Sequence, residues 1–138
     1  GHGEAIELLL ASGASLQASE EDGGQPIHWA AFGGQAEAVR LLLERGAKVD
    51  ARQLDGRQPI HLAADGGSCE VIQLLLDSRA ALDAIEDDGG TALHWASHSG
   101  HCKVINALLD QSAAVDAEDS YGRQPVHMAL AMEQTEAV

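Results

Sequence analysis

The 138-residue chain is 45% hydrophobic but only 3% aromatic, and its 22 acidic against 8 basic side chains leave a formal net charge of −14. Its core must therefore rely on Ala, Leu, Val and Ile, and so acidic a surface argues against nucleic acid and anionic membrane as partners while steering in a basic protein segment. No run approaches the ~18 to 20 apolar residues of a membrane span and no signal-peptide pattern opens the chain, which points to an intracellular protein, cytoplasmic with nuclear residence also allowed.

Four histidines, His28, His61, His94 and His127, stand 33 residues apart, each inside one short phrase. The phrases are Gln25-Pro26-Ile27-His28-Trp29-Ala30, Gln58-Pro59-Ile60-His61-Leu62-Ala63, Thr91-Ala92-Leu93-His94-Trp95-Ala96 and Gln124-Pro125-Val126-His127-Met128-Ala129. Glycine columns keep the same step: Gly23, Gly56, Gly89 and Gly122 ahead of the phrase, and Gly1, Gly34, Gly67 and Gly100 behind it. In this register residues 1–18 are the second half of a unit. Residues 19–51, 52–84 and 85–117 are complete units and 118–138 begin another, all within a single domain spanning 1–138. Glu133 to Val138 align on Gly34 to Val39, so the final segment is expected to be cut within a second helix. A repeat this short cannot bury its own apolar face, so the units must stack, each completing its neighbour's core.

Within a unit the connector comes first. It ends in Asp22-Gly23, Asp55-Gly56, Asp88-Gly89 or Tyr121-Gly122, pairs that favour tight turns because glycine accepts positive φ cheaply. Pro26, Pro59 and Pro125 then suit the first turn of a short helix, where a missing amide hydrogen costs nothing and φ is already set. A glycine pair or Ser99-Gly100 ends that helix. A second helix follows, polar at Glu37, Arg40 and Glu44, then Glu70, Gln73 and Asp77, then Lys103, Asn106 and Asp110. Its opposite face carries Val39, Leu42 and Leu43, then Ile72, Leu75 and Leu76, then Ile105, Leu108 and Leu109, the pattern of a helix packed on one side. Gly13 and Gly46 end their second helices, whereas Arg79 and Ser112 stand at the matching positions and must turn left-handed against roughly 1 kcal/mol.

The period and the phrases resemble the ankyrin repeat family, whose T-P-L-H-x-A signature they match along essentially the whole chain. The resemblance implies an all-α helix-turn-helix solenoid with short β-hairpin or loop fingers. Fingers and first helices would line a concave groove, with second helices such as residues 35–44 forming the convex back. It also implies a protein-protein interaction module rather than an enzyme, needing no cofactor, and a monomeric domain of a larger chain. Gln replaces the family's Thr at positions 25, 58 and 124, so only Thr91 is expected to supply the usual hydroxyl cap.

Acidic charge gathers in the connectors as Glu20-Glu21-Asp22, Glu86-Asp87-Asp88 and Glu118-Asp119, while the second connector carries Arg52, Asp55 and Arg57. In similar proteins, finger tips and first-helix ends meet the partner. Those positions here are Glu21, Asp22 and Phe32, then Leu54, Arg57 and Asp65, then Asp87, Asp88, His98 and Ser99, then Ser120, Tyr121 and Arg123. Phe32, Leu54 and Tyr121 would be the anchors. The same charges would serve equally to solvate loops, and the chain would then be a structural spacer in a longer array; a third reading is a substrate-targeting domain of a larger enzyme. Trp29 and Trp95, each following a signature histidine, are expected to be partly buried between units.

Other chemistry fares less well. His94 and His98 share a helical face near Cys102, but the spacing matches no strong zinc pattern, and the repeated column favours a histidine bridging backbone between neighbouring units, so no metal is expected. No phosphate loop, nucleophile elbow or pocketed carboxylate pair is present. Cys69 and Cys102 occupy equivalent points of adjacent units, about 8 to 10 Å apart, beyond the roughly 7 Å a disulfide spans. Both are expected to be free thiols packed as small apolar residues in a reducing compartment.

Overall fold

The computed structural model describes residues 2–136 of the chain, so Gly1 of the glycine column and Ala137 and Val138 of the final segment lie outside the described residues. Eight helices follow one another: α1 (His2–Ala11), α2 (Pro26–Phe32), α3 (Ala36–Glu44), α4 (Pro59–Gly66), α5 (Cys69–Asp77), α6 (Ala92–His98), α7 (Cys102–Asp110) and α8 (Pro125–Glu136). They form two rows. The helices that open each unit, α2, α4, α6 and α8, pack side by side, and α1, α3, α5 and α7 pack behind them in the same order. Each opening helix also packs on the helix that follows it in α2 and α3, α4 and α5, and α6 and α7.

The rows exist because each unit contributes its apolar face to a shared interior. Ile27 and Ile60 of the front row and Val39, Val71, Ile72, Leu75, Val104 and Leu108 of the back row are buried, with Ala30, Ala31, Ala63, Ala64 and Ala96 between them. Small side chains let the front helices approach closely. At Gly66 the approach is closest, since a Cβ there would collide with the Phe32 carbonyl of the preceding front helix. The polar residues expected on the back of α3, α5 and α7 are exposed without exception. Leu109, placed by its spacing on the apolar face, is instead exposed, because no described helix packs beyond α7 to cover it.

Arg79 and Ser112 both have positive φ, 72° and 68°, as their positions at the ends of α5 and α7 require. The final segment departs from expectation. Met132 and Glu133 stand where the earlier units have Gly33-Gly34, Gly66-Gly67 and Ser99-Gly100, and without a glycine to turn left-handed α8 runs on through Glu136. No turn into a second helix interrupts it. Cys69 packs half-buried against the core, but Cys102 opens α7 facing solvent, so only one of the two thiols serves as a small apolar residue.

Among the described residues no strand is formed, and the connectors are tight turns. Each closes on itself in the same way: the Gly23 amide donates to the Glu20 carbonyl (2.9 Å), Gly56 to Gln53 (3.0 Å), Gly89 to Glu86 (2.9 Å) and Gly122 to Asp119 (2.9 Å). The turns are also joined to one another. Leu54 N–H donates to Asp22 C=O (2.9 Å), Asp87 to Asp55 (2.9 Å) and Ser120 to Asp88 (2.7 Å), so four successive fingers stand in one hydrogen-bonded row.

Candidate functional site

The fingers are held to the helices by the repeated histidine. In His28 the Nδ1 atom accepts the Gln25 amide (3.0 Å), which obliges Nε2 to carry the proton it donates to the Ala51 carbonyl at the end of its own unit (2.9 Å), not to a neighbouring unit as expected from the repeated column. His61 repeats this with Gln58 (3.0 Å) and Ala84 (2.9 Å). The imidazole thereby caps its own helix start, the part expected of a hydroxyl. Thr91 does bring its hydroxyl, but to His94 Nδ1, 2.9 Å away.

Protonation would set a second N–H against an amide donor inside an apolar interior. Burial accordingly lowers the pKa of His28, and that of His61 to about 4, outweighing the backbone hydrogen bonds that pull the other way. His94 changes acceptor: its Nε2 donates to the Arg123 carbonyl (2.9 Å) rather than to that of Ala117. Both of its ring nitrogens are thus engaged by protein, and among the described residues no group of three or more His, Cys, Asp or Glu side chains is placed to hold a metal ion. His127 sits at the far end of the column, exposed, with the Gln124 amide on its Nδ1 (2.9 Å).

The acidic row divides into two kinds of residue. Glu86 and Asp119, counted from sequence among the rim charges, are in fact buried. Glu86 accepts the amides of Asp88 and Gly90 (both 2.9 Å), and Asp119 accepts those of Tyr121 and Arg123 (both 2.9 Å) plus Arg123 Nε (2.8 Å). For Asp119 burial opposes ionisation, yet the backbone and side-chain bonds from Arg123 and the Tyr121 amide together lower its pKa below the ordinary carboxylate value. Both lie three residues before a finger glycine, but that column also holds exposed Glu20, so their position alone gave no signal of burial.

Glu20, Glu21, Asp22, Asp87, Asp88 and Glu118 remain exposed along the fingers. Arg52 reaches across from the second finger to Asp87 (3.2 Å). Arg57 is half-buried, its Nε on Asp55 (2.7 Å) and its guanidinium 5.1 Å from the Trp95 ring centroid; Arg123 lies 4.8 Å from the Tyr121 ring.

Arg57 and Arg123 apart, the residues singled out from sequence fall into two groups. Glu21, Asp22, Leu54, Asp87, Asp88, Ser120 and Tyr121 are exposed on finger tips, with Leu54 and Tyr121 the most exposed apolar side chains among them. Phe32, Asp65, His98 and Ser99 lie at the ends of the front helices. Ser99 Oγ donates to Asp65 Oδ1 (2.5 Å) across two units, and His98 meets the Trp95 ring edge-on at 6.2 Å. His101 Nε2 is taken by the Asp65 backbone carbonyl (2.8 Å), and the Ser99 hydroxyl is turned onto a carboxylate.

Trp95 is half-buried as expected, whereas Trp29 is 52% exposed. Between the first and second fingers and the end of α2 lies a hollow of about 130 Å³, lined by Asp22, His28, Trp29, Phe32, Gln53, Arg57 and Leu62. Gln53 had no signal of its own in the sequence. It is buried, and its Oε1 has no hydrogen-bond donor among the described residues. The whole surface can hold, orient and attract; Glu86 and Asp119 are spent on the fingers' own amides.

A family model described as ankyrin repeats (3 copies) matches residues 1–85 and 61–138. A search of curated proteins finds no match to the chain.

Proposed function

The chain belongs to the ankyrin repeat family, whose repeats generally act as protein-protein interaction modules, and on that premise we propose that it binds a basic protein or peptide along its fingers and front helices. The finger row supports this reading most strongly. Three backbone hydrogen bonds between fingers fix exposed Glu21, Asp22, Asp87 and Asp88 at regular intervals beside the exposed apolar residues Leu54, Phe32 and Tyr121. Carboxylates held in a row attract an extended cationic chain without each needing its own pocket, and the apolar residues between them supply area to desolvate. Arg57 and Arg123 take part as clamps on Trp95 and Tyr121 rather than as free cations.

The test is fluorescence anisotropy with labelled basic peptides and their charge-neutral counterparts, run from low to high salt. Binding should weaken as salt rises and fall about tenfold or more in a chain carrying Asp88→Lys and Tyr121→Ala together. Equal binding of neutral and basic peptides, or none of either, would leave a spacer in a longer array as the better description.

A further inference from the structure

The first two fingers carry the same acid, Asp22 and Asp55, and then differ. In the second finger Arg57 follows, fills the space between Asp55 and Trp95, and donates to one while stacking on the other. In the first finger the corresponding residue is Gly24, and Leu62 corresponds to Trp95. The space that an arginine at position 24 would occupy is therefore the space between Asp22 and Leu62. That space is open: it is the hollow of about 130 Å³ described above.

We propose that this hollow receives an arginine side chain of the partner, as the vacant counterpart of the place Arg57 fills one repeat later. The proposal rests on the interaction reading above and names the chemistry of one contact within it. Asp22 is exposed, and its Oδ2 has only a long contact with Gln53 Nε2 (3.5 Å). A guanidinium supplies donors to Asp22 Oδ2 while its plane lies against Trp29 and Phe32, both exposed side chains on the wall of the hollow. Asp22 Oδ1 already accepts the Gly24 amide (2.8 Å), which leaves Oδ2 for the incoming group. The one cation already on the wall, Arg57, has its charge answered by Asp55. The third finger also has a glycine at this position, Gly90, and an exposed acid, Asp88, in the place of Asp22, but there Met128 stands in the place of Leu62 and Asp119, in the place of Gln53, is bonded to Arg123. Lysine, a compact point charge, would not match the flat aromatic faces.

The probe is N-acetyl-arginine N-methylamide, with its lysine and citrulline counterparts, titrated into the ¹⁵N-labelled chain. The readout is the indole N–H resonance of Trp29, with Trp95, whose ring already carries Arg57, as internal reference. The arginine compound should shift Trp29 saturably, the lysine compound should bind at least about threefold more weakly, and the citrulline compound should give no saturable shift. Asp22→Asn should weaken the arginine response about fivefold or more. Gly24→Arg should abolish it, since the new side chain fills the hollow from within; Gly24 lies outside the left-handed region, so its backbone accepts the substitution. An unmoved Trp29, an equal response to citrulline, or indifference to Asp22→Asn overturns the proposal. A basic peptide that binds wild type and Gly24→Arg equally overturns the subsite alone, whereas failure of every basic peptide overturns the broader reading.

Discussion

His61 Nε2 donates to the Ala84 carbonyl at 2.9 Å from the heart of the protein, where the ring has no exposed surface. Its burial ties the start of α4 to the end of the same unit through one proton. The folded-state pKa, about 4, lies below the ordinary 6.5, so the unfolded chain binds that proton more readily. Stability from this group is complete above about pH 6.5 and is lost as pH falls toward 4, a total of about 3 kcal/mol. His28, also lowered, acts in the same direction. Urea midpoints measured between pH 7.5 and 4.5 should fall, and the slope should be shallower in His61→Gln; identical slopes would refute the assignment.

Arg79 and Ser112 hold a left-handed backbone that glycine adopts at no steric cost. Arg79→Gly and Ser112→Gly should each stabilise the protein by about 1 kcal/mol, raising Tm by roughly 3 to 6 °C in differential scanning calorimetry. A lowered Tm in both would contradict the conformations described.

Leu75 has no exposed surface and sits on the back row between α3 and α7. Leu75→Ala should cost about 2 to 5 kcal/mol, seen as an earlier denaturant midpoint. Leu109→Ala, on an exposed side chain of the neighbouring back helix, should cost far less, and a comparable loss would mean that Leu109 is covered.

Gly66 leaves no room for a methyl group against the Phe32 carbonyl. Because the obstacle is backbone, Gly66→Ala must push α2 and α4 apart, at a cost of about 1 to 3 kcal/mol. Gly100→Ala, where a Cβ meets nothing within 4 Å, tests strain at positive φ alone, so the amide resonances of Phe32 and its neighbours should move in the first variant and stay in place in the second.

What the sequence disclosed was whatever recurs. The histidine column, the glycine turns and the left-handed Arg79 and Ser112 follow from one register, because a residue at a repeated position meets a repeated surrounding. What it concealed were local breaks in that rule. Met132 and Glu133 remove a turn and let α8 continue, and Leu109 and Cys102 are left uncovered although their spacing matches half-buried counterparts. Glu86 and Asp119 look like any other acid until the amides around them are placed. The hollow beside Asp22 was hidden for a different reason: it depends on the joint identity of residues 22, 24 and 62, of which only Asp22 was conspicuous.

The amide of Leu54 on the carbonyl of Asp22, and its two successors, make one backbone bond per step along the fingers. Such a fastening resists sliding of one finger past the next far more than it resists a small rotation about the bond. Bending can therefore be shared out along the row in modest increments, so that a ligand spanning several fingers adjusts their common curvature instead of prising any single one loose.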